Sequence, residues 1–188
     1  KSEQKQNVQN MDVSVFQNVI EEYLTTRGEP ASYLHVHTAG LIALAEAHVL
    51  KPSDLEFDEA LRKTSALFES ALKDKEKFAH YSTGENVETG MWGLGPSTAG
   101  LAKDRSAQPS AQDESLSDRV EMAIVTFLQK NQNALYLEIE NDLYPLFTGL
   151  MTPSKGLIYA ILNSYAERED GYWKLRAEDV SSARRDEL

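Results

Sequence analysis

Two histidines separated by one residue, His35 and His37, are the side chains best placed to bind a metal ion. We predict a short strand here, and alternate side chains on a strand point to the same face, so both imidazoles would face one ion. No third histidine or carboxylate lies at a matching spacing, and the corresponding positions later in the chain are Glu138 and Glu140. We therefore expect no metal and interpret both histidines as partly exposed side chains beside the strand.

Neighbouring carboxylates, such as Glu21 with Glu22 and Asp58 with Glu59, are a second candidate for chemistry. We interpret them as solvated helix faces or as charges that favour a helix start. A catalytic pair would need one carboxylate in an apolar pocket, which nothing in the sequence indicates. The chain has no cysteine, no Gly-x-Ser-x-Gly segment and no phosphate-loop spacing of glycines. The sequence thus predicts no catalytic residue and no cofactor.

Basic side chains form two groups that could contact nucleic-acid phosphates. The candidate DNA contacts are Arg62, Lys63, Lys73 and Lys77 in one group, and Ser154, Lys155, Lys174 and Arg176 in the other. Serine and lysine at a helix N-terminus suit phosphate contact. The alternative is an ordinary solvated helix face, because Asp74 and Glu76 alternate with lysines. A net charge of -11 argues against a wholly nucleic-acid-binding surface but is compatible with a local basic patch.

Composition predicts two modules joined by a linker. Residues 1–10 are almost entirely polar and predict a disordered lead-in, and residues 96–116 are poor in residues that could be buried. The first module would then span residues 11–95 and the second residues 117–180, followed by a charged tail at 181–188. No stretch is long and apolar enough to span a membrane, and we expect a cytoplasmic location.

The two modules share an order of elements: helix, short strand, helix, helix and hairpin. The segment from Tyr33 to Val36 corresponds to Tyr136–Leu137–Glu138–Ile139, and we interpret these matched residues as core. Second helices are predicted from Ala39 to Val49 and from Glu140 to Phe147. Each module ends in a predicted hairpin that contains a tryptophan, the second with an Asp-Gly turn. The pattern predicts a mainly α protein with small β-hairpins (α+β), built from tandem duplicated winged-helix-like modules.

Capping residues predict where two helices of the second module begin. Ser117 or Asp118 would cap its first helix, with Glu121 placed for a capping box. Its third helix would follow Thr152, with Pro153 in the first helical turn. In the first module the third helix would start near Phe57, where Asp58 and Glu59 favour the helix N-terminus.

Part of the second module resembles a known family. The resemblance rests on the segments Phe147-Thr148-Gly149-Leu150-Met151-Thr152-Pro153-Ser154 and Tyr172-Trp173-Lys174-Leu175-Arg176-Ala177-Glu178-Asp179, together with Arg184-Arg185. They are similar to a winged-helix segment toward the end of large bacterial DNA methyltransferases of the amino-group type. The resemblance implies a parent enzyme that transfers a methyl group from S-adenosylmethionine to DNA elsewhere in its chain. The family's Asp/Asn-Pro-Pro-Tyr/Phe motif and cofactor loop have no counterpart here, so no catalytic residue carries over.

Three functions compete at this point. The first is an accessory region that recognises or positions double-stranded DNA within a larger DNA-modifying protein. The second is a scaffold for protein interaction or dimerisation, which would bind a protein partner or the remainder of the parent chain. The third follows from Arg185-Asp186-Glu187-Leu188 alone, which resembles an endoplasmic-reticulum retrieval signal. DNA contact predicts that the basic residues converge on one exposed patch, whereas a scaffold predicts scattered or neutralised charges and exposed apolar residues.

Overall fold

A computed structural model describes residues 12–47, 57–98 and 114–177. The predicted lead-in, most of the predicted linker, the charged tail and the retrieval-like ending lie outside these residues. The chain divides into two compact units, unit 1 at residues 1–113 and unit 2 at residues 114–188. Each unit combines helices with a small antiparallel sheet, so the fold class is α+β.

In the described part of unit 1, a helix comes first and a hairpin follows the third helix. Its elements are α1 (Val13–Arg27), β1 (Ala31–Ser32), α2 (Tyr33–Glu46), α3 (Phe57–Leu72), β2 (Phe78–Tyr81) and β3 (Met91–Leu94). The three strands form one antiparallel sheet in the order β1-β3-β2. Gly28 ends α1 at a φ of 71° and donates its N–H to the carbonyl of Leu24, because glycine adopts this left-handed conformation without a Cβ clash.

The core of unit 1 is centred on Phe68 of α3. Its ring meets the Phe16 ring edge-on at 6.1 Å, and both side chains are almost fully buried. Gly40 of α2 lies against the same ring, and a Cβ built on it would come within 2.5 Å of Cε2 of Phe68. A larger residue at position 40 is therefore incompatible with this position of the ring.

Unit 2 has a similar order of elements. These are α4 (Leu116–Lys130), α5 (Tyr136–Leu143), a short 3-10 helix (Gly149–Met151), α6 (Lys155–Tyr165), β4 (Ala166–Glu169) and β5 (Tyr172–Leu175). Ala134 forms an isolated antiparallel bridge with Trp173 of β5. The β4–β5 turn places Asp170 at a φ of 50° and Gly171 at 89°, both left-handed, which confirms the predicted Asp-Gly hairpin.

One continuous apolar core holds unit 2 together. Its largest fully buried side chains are Leu116, Ile124, Ile139, Leu143, Ile158 and Leu162, with Trp173 of the hairpin nearly buried. The buried residues recur three or four apart on each helix, as an amphipathic helix requires. All three helices and the hairpin thus contribute to the same core.

The predicted second helices began too late. α2 starts at Tyr33 and α5 at Tyr136, so the segments predicted as strands are first turns of helices. The cause is capping: Ser32 accepts a hydrogen bond from the His35 N–H, and the Glu138 carboxylate accepts one from the Leu135 N–H at 2.7 Å. Just before these helices, strand pairing involves Ala31–Ser32 in unit 1 and the single bridge at Ala134 in unit 2.

Two predicted helix starts in unit 2 were also displaced. Ser115, rather than Ser117 or Asp118, caps α4 by accepting the Asp118 N–H at 3.1 Å. Ser154 caps α6, so Pro153 precedes the helix and is buried there instead of occupying its first turn.

The predicted linker was too long at both ends. Leu116 is the first residue of α4 and is 1% exposed. Thr98 is also buried, and its hydroxyl donates to the carbonyl of Lys77 at 2.8 Å. Both residues therefore belong to the packed units.

Candidate interaction surfaces

The predicted DNA-contact residues of unit 2 start with the N-terminus of α6. Ser154 accepts the Leu157 N–H at 3.2 Å, so its hydroxyl caps the helix. Lys155 follows, with its side chain 71% exposed and its Nζ 3.8 Å from a carboxylate oxygen of the buried Glu140. Lys155 is thus the cation here that extends farthest into solvent, although an anionic group lies beneath it.

The other two basic residues of unit 2 are engaged by neighbouring groups. Lys174 on β5 contacts the carboxylates of Glu169 at 2.5 Å and Glu167 at 3.4 Å, both on β4. The Glu169 hydrogen bond raises the pKa of Lys174, and the same bond lowers the pKa of Glu169. Lys174 is thus paired with two carboxylates, and these three groups together carry one net negative charge.

Arg176 binds the C-terminal end of α6. Its Nη1 and Nη2 donate to the carbonyls of Ser164 at 3.0 Å and Asn163 at 2.6 Å, which satisfies carbonyls that the helix leaves unpaired. Lys155 begins the same helix, about 12 Å away at 1.5 Å rise per residue. Lys155 and Arg176 thus lie at opposite ends of α6, and Lys174 is paired with carboxylates of the hairpin.

The basic residues of unit 1 are also separated. Arg62 and Lys63 are exposed on the first half of α3, where the Arg62 guanidinium donates to the Asp58 carbonyl at 3.4 Å. Lys73 follows the end of α3, about 16 Å from Arg62 along the helix axis at 1.5 Å rise per residue. Lys77 is half-buried beside β2, and its carbonyl accepts the Gly95 N–H. Arg62 and Lys63 thus lie on the first half of α3, whereas Lys73 lies beyond its end.

His35 and His37 lie on helix α2, not on a strand. Residues two apart on a helix point to different sides, so the predicted shared direction of the imidazoles was wrong. Nδ1 of His35 contacts the Ser32 hydroxyl at 2.8 Å, whereas Nε2 of His37 contacts the Ser65 hydroxyl at 3.2 Å. His37 stacks on Tyr33 at 5.5 Å, and burial lowers its pKa. Within the described ranges, no three potential ligands cluster as a metal site would require.

A buried carboxylate in unit 2 connects α5 to α6. Glu140 accepts the Tyr144 hydroxyl at 2.8 Å and lies near Lys155. The hydrogen bond to Glu140 raises the pKa of Tyr144, and burial raises that of Tyr136. Tyr136 stacks on Tyr159 of α6 at 4.5 Å with ring planes 6° apart. These contacts fix the two helices against each other, which is a structural role.

Two leucines that we predicted to be core are strongly exposed. Leu34 is 70% and Leu137 62% exposed, whereas Val36 and Ile139, two residues later, are fully buried. Each leucine is the second residue of its helix, directly after a tyrosine. The signal that would have revealed them is the helix start, because on a helix positions 34 and 36 cannot both face the core.

The exposed half of α5 and the turn after it form a surface that contains Leu137 and a second exposed leucine. This α5 surface consists of Leu137, Glu138, Asn141, Asp142, Pro145 and Leu146, all exposed. Leu146 is 63% exposed. At 100° per residue the two leucines lie at opposite borders of the exposed half, with both carboxylates between them. Sequence reasoning missed this surface because it placed the first residues of α5 on a strand.

An open depression of about 390 Å³ adjoins the α5 surface. Its lining residues are Phe127, Asn131, Asn133, Glu138, Asn141 and Asp142. It thus combines an aromatic ring, three amides and two carboxylates. Lined in this way, it is suited to a cationic or hydrogen-bonding group and unsuited to a phosphate.

Comparison with known proteins does not assign the chain to a family. No protein-family model matches the sequence, and no curated protein matches it at a significant level. The similarity to DNA methyltransferases stays a prediction for this reason. In the part of the chain that the structure describes, no helix has the length and apolar character needed to cross a bilayer.

Proposed function

We propose that this chain is a non-catalytic protein-interaction region built from two winged-helix-like units that arose by duplication. The order of helix, β-bridge, helix, helix and hairpin in each unit supports this view of the fold. The third helix and the hairpin would correspond to the recognition helix and the wing. Because winged-helix folds serve several functions, the function rests on the surfaces and not on the fold.

Equivalent pairs in the two sheets support the duplication. Ala31 pairs with Trp92 in unit 1, and Ala134 pairs with Trp173 in unit 2, in both cases antiparallel. Both alanines are 1% exposed. In each unit a tyrosine that starts the second helix follows two residues after the alanine. Aligning Ala31 with Ala134 also aligns the buried Leu44 with the buried Phe147.

The observation that carries the proposed function is the exposure of Leu34 and Leu137. Single exposed leucines are common on protein surfaces and have little meaning alone. Here the same alignment places two of the most exposed large apolar side chains at one equivalent position. At the same time, the basic residues needed for DNA contact are separated or neutralised. Exposed apolar side chains with dispersed charge are what a protein-binding scaffold requires.

Leucine variants test this proposal. Proteins captured from cells by the whole chain are identified, and each purified candidate partner is titrated against wild type, Leu34→Ser and Leu137→Ser. We expect about tenfold weaker binding for at least one variant, as for a buried interface anchor. Met122→Ser, at a side chain 57% exposed on α4, is the matched control. Partners whose affinity is unchanged by both leucine variants would contradict the proposal.

A second function, duplex recognition within a DNA-modifying protein, is favoured by one observation. α6 contains no Asp or Glu in a chain with 30 of them, and Lys155 projects from its start. This surface would then contribute phosphate contacts. Titration with a labelled duplex across a salt series tests it: affinity that falls steeply with salt and is reduced by Lys155→Glu would support DNA recognition. Equal binding by Lys155→Glu and wild type would exclude this role for α6.

A further inference from the structure

The equivalent surfaces of the two units differ in charge. Where the α5 surface has Glu138, Asn141 and Asp142, the alignment of Ala31 with Ala134 places His35, Thr38 and Ala39 on α2. Both surfaces keep the exposed leucine near the helix start. An exposed leucine is thus common to the two units, whereas paired carboxylates beside it are a feature of unit 2.

The geometry of the depression determines what these carboxylates would bind. One oxygen of Glu138 accepts the Leu135 N–H at 2.7 Å, which holds this side chain in place at the rim. The Nδ2 of Asn131 donates to the Phe127 carbonyl at 2.9 Å, so its amide carbonyl and one N–H remain for a ligand. Carboxylates and amide carbonyls accept hydrogen bonds, and an aromatic ring attracts a cation. All three groups favour a ligand that is positive and donates hydrogen bonds.

The volume and the charge balance agree with such a ligand. About 390 Å³ lies at the small end of ligand pockets, roughly 300–1,000 Å³. Residues 114–177 carry nine acidic and six basic side chains, so the field of the unit also favours a cation. Leu137 and Leu146, at the borders of the α5 surface, add exposed apolar area on the same helix and the turn after it.

We propose that the α5 surface binds a basic segment of a partner protein. An arginine or lysine side chain of that segment enters the depression and pairs with Glu138 and Asp142. Apolar side chains of the same segment pack on Leu137 and Leu146. This inference rests on the proposed protein-interaction function and specifies the chemistry of the partner for unit 2.

Selection from a random peptide library tests the inference before any partner has been identified. The immobilised whole chain selects peptides of about twelve residues, long enough for one surface helix or strand. Each enriched peptide is then titrated against wild type and Asp142→Lys. Two further variants are titrated. Leu137→Ser measures how much the apolar part of the α5 surface contributes to peptide affinity, and Leu34→Ser, at the equivalent position of unit 1, shows whether the effect is specific to unit 2. Glu114→Lys, with the same change of charge outside the depression, is the electrostatic control.

We expect enriched peptides with arginine or lysine next to apolar residues. Their affinity should fall at least about tenfold with Asp142→Lys and with Leu137→Ser, and by less than about twofold with Leu34→Ser or Glu114→Lys. Amide chemical shifts should change at Phe127, Asn141 and Asp142.

Three results would overturn the inference. These are no enrichment over the Asp142→Lys chain, enriched peptides that lack basic residues, and equal losses with Asp142→Lys and Glu114→Lys. If a folded partner still depends on Leu34 or Leu137, the proposed function survives and only the chemistry assigned to the depression is wrong. If the selected peptides bind as expected while no partner depends on either leucine, the basic-segment site survives the failure of the broader proposal.

Discussion

The two units bring their second and third helices together with different volumes. In unit 1, Gly40 on α2 leaves room for the Phe68 ring of α3. The alignment of Ala31 with Ala134 places Leu143 at the position of Gly40, and unit 2 has the smaller Ile158 in the matching part of α6, with both side chains fully buried in one core. A small residue facing a large one is thus replaced by two of intermediate size. The two units thus fill the space between these two helices with different pairs of side chains.

The polar contact between the second and third helices also differs between the two units. His37 of α2 contacts Ser65 of α3, and at the aligned position of unit 2 Glu140 lies near Lys155 of α6. The first contact is uncharged when His37 is neutral, and the second is an ion pair. The comparison teaches that the order of elements and the exposed leucine are common to both units, whereas packing and electrostatics are specific to each.

The largest effect should come from transferring the unit 2 volume into unit 1. Gly40→Leu should reduce the free energy of unfolding of unit 1 by about 3 kcal/mol, because the new side chain overlaps the Phe68 ring. Combining it with Phe68→Ile should recover more than half of that loss. Urea unfolding of the three chains measures both values. Gly156→Ala is the control, since its Cβ would meet only the Ser154 hydroxyl at 3.8 Å. A double variant no more stable than Gly40→Leu would show that the two positions do not exchange volume.

The hairpin turns should respond differently to the same substitution. Gly171→Ala should destabilise unit 2 by about 1 kcal/mol, because position 171 has a φ of 89° that an L-residue adopts with strain. Gly84→Ala in the unit 1 hairpin tip should change stability by less than about 0.5 kcal/mol, because the added Cβ meets no atom within 4 Å. Thermal unfolding of both variants provides the comparison. Equal losses would mean that the tight turn is not what distinguishes the hairpins.

Arg176→Ala should cost unit 2 about 1 kcal/mol, because the guanidinium caps two carbonyls at the end of α6. Lys174→Ala should have a smaller effect, since its partners are exposed carboxylates on the hairpin. Chemical denaturation measures the two midpoints. If Arg176→Ala left stability unchanged but reduced duplex binding, Arg176 would be a DNA contact instead of a helix cap.

The smallest effect is a pH dependence confined to unit 1. Burial lowers the pKa of His37, so the folded state disfavours its protonated form. The part of the free energy of unfolding that depends on neutral His37 is therefore fully present above the unfolded pKa of about 6.5, and it declines as the pH falls below that value. His37→Gln should remove this part of the decline between about pH 7 and 5. The unfolding of each unit can be followed by tryptophan fluorescence in single-tryptophan chains, at Trp92 for unit 1 and at Trp173 for unit 2. If His37→Gln changed the pH dependence of both units equally, the effect could not be assigned to burial of His37 in unit 1.

Local signals in the sequence predicted much of the fold. The hairpins were predicted from turn residues followed by a tryptophan, with an Asp-Gly turn in the second, and β2, β3, β4 and β5 confirm them. The third helix of unit 1 is present from Phe57, the first residue described after the gap, to Leu72. The second helices were mistaken for strands because four residues such as Tyr33 to Val36 fit both patterns, and the caps that decide between them were overlooked.

Contacts between distant residues account for the remaining errors at the site. The partners of Arg176 lie more than ten residues away in sequence, at Asn163 and Ser164. Likewise, the predicted basic patch depended on positions in space that spacing along the chain does not determine. The leucines of the α5 surface became visible only once the helix phase was known. Residue types thus suggested candidates, but tertiary contacts decided their roles.

Site-specific photocrosslinking at position 137 would show directly whether the α5 surface contacts a protein. A photoreactive phenylalanine analogue replaces Leu137 in the whole chain within cells, and a second chain carries it at Met122 as the control. We predict crosslinked products that depend on position 137, are degraded by protease and withstand nuclease. Products that nuclease removes, or that form equally from both positions, would contradict the proposal that this surface binds a protein.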